Sequence, residues 1–150
     1  DPRFVEIVDR LIGRAPECVA RLAEPATLLH GDAHFENLPL LDEEEQVLFF
    51  DWAAARVGHA AFDVAVFVVQ SHGVERRREA EHEIVERHAE AVRRAGIEWS
   101  DPWTDYRRAM LYWVIYMLEN ANLGLDTPPW IVIDRYVAAA VDLELGELVE

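Results

Sequence analysis

The feature that most constrains this chain is residues 27–52, TLLHGDAHFENLPLLDEEEQVLFFDW. Short apolar runs alternate there with breakers. Thr27, Leu28 and Leu29 form the first run, broken by Gly31. Leu38, Leu40 and Leu41 form the second, cut by Pro39 and closed by an acidic turn at 42–45. Val47, Leu48, Phe49 and Phe50 form the third, ending on Asp51. The pattern predicts strand, loop, strand, turn, strand. Three polar side chains stand out against this apolar frame: Asp32, Asn37 and Asp51.

Their spacing is informative. Asn37 follows Asp32 by five positions, and an apolar hairpin then leads to Asp51. The order matches the catalytic half of the kinase signature. There a loop Asp receives the proton of the acceptor hydroxyl, and the next Asn and Asp hold magnesium. The chemistry needs these residue types. An attacking hydroxyl needs a fixed carboxylate to orient it and take its proton. Magnesium is a hard cation that wants oxygen ligands, one or two carboxylates with phosphate and water.

His30-Gly31-Asp32-Ala33-His34-Phe35-Glu36-Asn37 resembles the HGDxHxxN box of the aminoglycoside phosphotransferase and choline kinase-like family. Phe50-Asp51-Trp52 resembles that family's second metal box, where Asp-Trp often replaces the Asp-Phe-Gly of protein kinases. Gly58, followed by Phe62-Asp63-Val64-Ala65, resembles its downstream G-x-x-x-x-D-[LV]-A segment. The three boxes stand in order over roughly the first half of the chain, and the second half carries no comparable motif.

The resemblance implies a role for each matching residue. Asp32 is the implied catalytic base, and Asn37 and Asp51 the implied ligands of Mg2+ or Mn2+. ATP, with GTP the alternative, is the implied phosphoryl donor, and a small-molecule alcohol the acceptor. His30, His34 and Asp63 are implied supports of the loop. His30 is structural, and His34 shapes the loop or the acceptor edge. Asp63 braces the loop through backbone N–H groups, because a buried charge needs partners. Asp63 also falls in the first turn of a predicted helix, where the dipole favours a carboxylate. The two readings hold together.

Every one of the 14 basic residues is arginine; the chain has no lysine. Its seven glycines are scattered singly, so no glycine-rich loop is present. Kinase-like enzymes hold the nucleotide phosphates with a strand lysine under a glycine-rich cover. The expectation is therefore a single domain over residues 1–150, the C-terminal lobe of a kinase-like phosphotransferase, with the N-terminal nucleotide-binding lobe absent. The expected fold is α+β and mainly α-helical, with a small β hairpin or sheet carrying the catalytic and metal loops.

Charge excludes some partners. With 29 acidic residues the formal charge is -15, which argues against nucleic acid or an anionic membrane as partner. It mildly favours an amine-bearing acceptor. No apolar run is long enough to span a bilayer. No signal-peptide pattern opens the chain. The single cysteine, Cys18, allows no internal disulfide, so a reducing cytoplasm is the expected location. Nothing in the sequence fixes an oligomeric state.

The rest of the chain reads as helices. Phe4, Ile7, Val8, Leu11 and Ile12 share one face, and Gly13 stops that helix. Pro16 starts a second, with Cys18, Val19 and Leu22 as its apolar side, and Pro25 ends it. Residues 53–59 read as irregular. Residues 60–71 are apolar almost all round and belong in a core. Residues 75–95 form a charged helix with a stripe of Ile84, His88, Ala91, Val92 and Ala95. Glu83 with Arg87, and Glu90 with Arg94, are supportive pairs. Arg76, Arg77 and Arg78 read as a solvated face, because acidic residues surround them. Asp101 before Pro102 looks like a helix start. Tyr106, Met110, Trp113, Met117 and Leu118 then recur at helical spacing. A turn at 122–127 and Pro128–Pro129 lead to a last helix, with Trp130, Ile133, Val137, Val141, Leu145 and Leu148 on one side.

Two other functions compete. One is a pseudokinase-like, non-catalytic binding module, to which the absent lobe points and against which the full Asp32/Asn37/Asp51 set argues. The other is a metal-dependent hydrolase with zinc or iron on His30 and His34. It leaves Asn37 and Asp51 unexplained.

Overall fold

The computed structural model describes residues 1–11, 14–22, 26–41, 46–123 and 130–149. The expected breaks at Gly13 and Pro25, the turn at 42–45 and the prolines 128 and 129 lie outside the described residues. So do Ile12, most of the turn at 122–127, and the side chains of Cys18, Val19 and Trp130.

Two short helices, α1 (Pro2–Leu11) and α2 (Ala15–Ala20), precede β1 (Ala26–Leu29). A loop leads to β2 (Leu40–Leu41), β3 (Gln46–Val47) and β4 (Arg56–His59). The remainder is helical: α3 (Ala61–Ser71), α4 (Val74–Arg94), α5 (Pro102–Leu123), α6 (Trp130–Asp142) and a 3₁₀ turn at Leu145–Val149. The fold is α+β and mainly helical, as expected.

The strands depart from expectation in two ways. First, residues 53–59 are not wholly irregular. Arg56–His59 is a strand antiparallel to β1, with Ala26 opposite His59 and Leu29 opposite Arg56. No apolar alternation announces it, since Val57 points outward and is 75% exposed. Second, the third expected strand stops at Val47, and the β2–β3 hairpin is only two residue pairs long. Leu48 N–H still donates to the Pro39 carbonyl at 3.1 Å, and Phe50 N–H to the Asn37 carbonyl at 2.9 Å. Proline has no N–H to return the bond, so no regular ladder continues past it.

The apolar helix is the central one. α3 packs against α4, α5 and α6 and buries Phe62, Val64, Ala65, Val66, Val68 and Val69. Each fully buried valine contributes about 1.5–3 kcal/mol. Trp113 of α5 pins this packing by donating its indole N–H to the Phe62 carbonyl at 2.9 Å. The start of α5 is as expected: Asp101 accepts from the Thr104 amide at 3.2 Å, with Pro102 in the first helical position. Tyr106, Met110, Trp113 and Met117 are buried along it.

On α4 the expected stripe is rotated. Ala91 and Ala95 are exposed, and the buried face runs through Arg77, Ala80, Glu81, Val85 and Ala89. The arginine run is therefore not a fully solvated face. Arg77 is 0% exposed. Its guanidinium pairs with Glu81 at 2.6 Å and with Asp142 of α6, while Tyr106 of α5 donates to Glu81 at 2.9 Å. Surrounding carboxylates are thus what allow this arginine inside, rather than what keep it out. Both expected pairs form, Glu83–Arg87 at 2.6 Å and Glu90–Arg94 at 3.9 Å.

The last helix also differs. α6 stops at Asp142, and its buried positions are Tyr136, Ala139 and Ala140; Ile133, Val137 and Val141 are half-buried. Glu144 takes a positive φ of 51°, and Leu145 is buried from the turn beyond it.

Candidate active site

β1 delivers the chain into the loop that carries the first motif. Leu29, its last residue, is 1% exposed, and His30 is 3% exposed. The His30 amide donates to Asp63 Oδ2 at 2.6 Å, and the Gly31 amide to Asp63 Oδ1 at 2.9 Å. One carboxylate in the first turn of α3 thus holds two consecutive loop amides. The His30 ring lies with Nε2 2.6 Å from the Phe50 carbonyl, while the Asp32 amide donates to Nδ1 at 3.4 Å. A neutral ring protonated on Nε2 satisfies both contacts. The same ring packs on Trp52 at a centroid distance of 4.8 Å, which joins the first and second motifs.

Gly31 turns the chain with a φ of +85°, and a Cβ there would run into the Ala54 carbonyl oxygen. Left-handed backbone and close approach both demand glycine.

The turn that follows brings Asp32, His34 and Asn37 together. Asn37 Nδ2 donates to the Asp32 carbonyl at 2.9 Å and to Asp32 Oδ2 at 3.0 Å. His34 Nε2 lies 3.2 Å from Asn37 Nδ2 and 3.5 Å from Asp32 Oδ2. The Asp32 side chain is 43% exposed, so its carboxylate is both oriented and open to solvent. Because Nδ2 turns to Asp32, Oδ1 is the Asn37 atom left to meet a cation.

Asp51 stands apart from that cluster. Its backbone is left-handed, φ 54° and ψ 66°, and its side chain accepts from the Ala53 amide at 3.4 Å to cap a 3₁₀ turn at Trp52–Ala54. It is exposed, beside exposed Phe50 and Trp52. Residue 50 couples it to the loop, giving its N–H to Asn37 and its carbonyl to His30. A non-glycine residue in left-handed backbone is strained and is held there by its surroundings. Asn37 Oδ1 and the Asp51 carboxylate are oxygen donors that suit a hard cation. Among the described residues, no group of three or more His, Cys, Asp and Glu is arranged to hold a metal.

Residues distant in sequence complete the surroundings. Ser71 Oγ accepts from the Phe35 amide at 3.1 Å, anchoring the loop to the end of α3. Gln70 Nε2 donates to the Tyr136 hydroxyl at 3.0 Å, and Arg135 donates to the Gln70 carbonyl. Burial pushes the Tyr136 phenol up to about 12, with the charge of Asp32 and Tyr116 adding to the shift and the Gln70 bond opposing it. Sequence reading missed Gln70, Ser71 and Tyr136, because no motif or spacing ties them to the loop.

The geometry is that of a loop-borne carboxylate and amide fixed from a central helix. The model of the phosphotransferase enzyme family matches residues 1–112 of the chain, which includes the loop, both sheets, α3 and α4. The chain belongs to this family. No curated protein sequence matches it. Among the described residues, no helix is long and apolar enough to cross a membrane.

Proposed function

We propose that residues 1–150 form the catalytic lobe of a kinase-like phosphotransferase that moves the γ-phosphoryl group of ATP, or GTP, to a hydroxyl of a small molecule. The observation that carries this reading is the solvent-open Asp32 carboxylate, oriented by Asn37 at 3.0 Å on a loop braced by Asp63. Asp32 accepts the proton of the attacking hydroxyl and aims its oxygen at the phosphorus. Asn37 Oδ1 and the Asp51 carboxylate would hold Mg2+ or Mn2+, which supplies neutralising charge at the phosphates when bound. Both sit where the backbone of residue 50 ties the two motifs together.

The reading requires phosphate-holding groups from outside residues 1–150, since the sequence has no lysine and no glycine-rich turn. The exposed apolar strip of Leu48, Phe50 and Trp52 around Asp51 supports a covering nucleotide-binding lobe there. The -15 charge supports an amine-bearing acceptor, and the single cysteine a cytoplasmic setting for the enzyme. His30, with both ring nitrogens engaged by backbone, serves the loop rather than a zinc or iron ion.

The test is Asp32→Asn in the complete gene product. Turnover with ATP should fall about a hundredfold or more, in line with general-base effects, with nucleotide affinity largely kept. Near-normal turnover would remove Asp32 from the chemistry. Residues 1–150 alone should fold yet transfer no phosphate.

A further inference from the structure

Beneath the hairpin, between the loop and the helices α3 and α4, lies a cavity of about 650 Å³. Asp32, Asn37 and Asp51 do not line it. Among the described residues, its wall is apolar except at two, Asp63 and His88. Phe35, Phe49 and Phe67 supply three aromatic rings, the first two about half exposed at its rim. A volume of this size suits a small molecule.

The charge in that wall is unbalanced. Among the described residues, no arginine pairs with Asp63, although ten other carboxylates do meet one within 4 Å at separations of three residues or more. The two loop amides bond each Asp63 oxygen once and leave each with a further lone pair. His88 does not supply the missing positive charge. Burial pulls its imidazole below the ordinary range, although Asp63 and the Ala60 backbone oppose this, so the ring is neutral at pH 7.

We propose that this cavity binds a lipophilic ammonium ion, with the cation at Asp63 and the aromatic rings, and that it is a site separate from the one around Asp32. An apolar body fills the cavity, while a carboxylate and π faces together favour a poorly hydrated cation. Asp63 also holds the His30 and Gly31 amides. Occupancy therefore reaches the catalytic loop through one shared side chain. The proposal stands apart from phosphoryl transfer, and its test needs no turnover.

The experiment titrates the 150-residue protein with 4-phenylbutylamine, 4-phenylbutanol and 4-phenylbutyrate, followed by amide chemical shifts. The -15 surface attracts any cation, so titrations run in 0.1 and 0.5 M NaCl, where screening suppresses surface attraction. In 0.5 M NaCl the amine should bind about tenfold more tightly than the alcohol, and the acid should not bind. The shifts should fall on His30, Gly31, Phe67 and His88. Ile84→Trp, which fills the cavity from a half-buried position, should abolish them. Asp63→Asn should erase the preference for amine over alcohol; if that variant does not fold, the Ile84→Trp result decides. Equal binding of the three probes, binding that survives Ile84→Trp, or shifts confined to Asp32 and Asn37 would each overturn the proposal.

Discussion

Two parts of the molecule are held by carboxylates, and they are held differently. At the loop, Asp63 uses both oxygens on backbone amides, a directional brace that fixes conformation. In the helical half, Glu81 and Asp142 meet the buried guanidinium of Arg77, which ties α4 to α6, while Tyr106 adds α5. That cluster fixes distances between helices, not a local backbone shape. The first arrangement tolerates a partly buried carboxylate, because amides solvate it. The second depends on each charge keeping its partners, since an unpaired buried ion is costly. Damage to the cluster should thus act on global stability, and damage to the brace on the loop.

The largest effect should come from the cluster. Arg77→Met leaves buried Glu81 with the Tyr106 hydroxyl but no cation, while Asp142 keeps Arg78, and should cost about 3–5 kcal/mol in urea unfolding. Further substitution of Glu81 by Leu should recover part of that loss. A single-variant loss below about 1 kcal/mol would show that Arg77 is not what neutralises the cluster.

Next comes Gly31→Ala. The left-handed φ costs about 1–2 kcal/mol for a residue with a Cβ, and the contact with the Ala54 carbonyl adds to it. A total of about 2–4 kcal/mol is expected, with the backbone displaced at Ala54. Smaller again is Asp63→Asn, at about 1–3 kcal/mol, because one loop amide then faces an NH2 group. Hydrogen exchange should quicken at His30 and Gly31 while α4 and α6 keep their protection. Uniform loss of protection would mean that the brace is global after all.

The same contrast governs what the sequence revealed. The centre of the loop was legible because Asp32 and Asn37 lie five residues apart, and Asp63, 33 positions from His30, was tied to it by the resemblance of its segment to a family box. The cluster was not legible. Arg77 and Asp142 are 65 positions apart, and nothing local marks Arg77 as different from Arg76 or Arg78. Strand β4 stayed hidden for a related reason: Val57 faces solvent, so period-two burial is absent. Gly58 was noticed as a motif residue, and the structure adds its physical reason, because a Cβ there would press on the Leu29 side chain at 2.8 Å.

The smallest effect at neutral pH belongs to the tyrosines, and each reports on one of the two regions. Tyr136 lies near the loop, bonded to Gln70, and its phenol is pushed up to about 12 by burial. Tyr106 lies in the cluster, and burial, then the neighbouring Glu81 charge, raises it well above the ordinary value. Both folded values exceed the unfolded value of about 10. The stability that each proton provides is present in full below pH 10. It is lost as pH rises, because the unfolded chain ionises first. For Tyr136 the window is pH 10 to 12. Tyr136→Phe should therefore change stability by only about 1 kcal/mol at pH 7, the usual worth of one hydrogen bond, and should make the decline above pH 10 shallower. Tyr106 remains in that variant, so some alkaline loss should persist. Tyr106→Phe should also flatten the decline, but at a larger cost at pH 7, since Glu81 loses a donor inside the cluster. The check is urea unfolding of wild type and both variants at pH 7, 10 and 11. An unchanged alkaline slope in Tyr136→Phe would show that this phenol ionises as readily folded as unfolded.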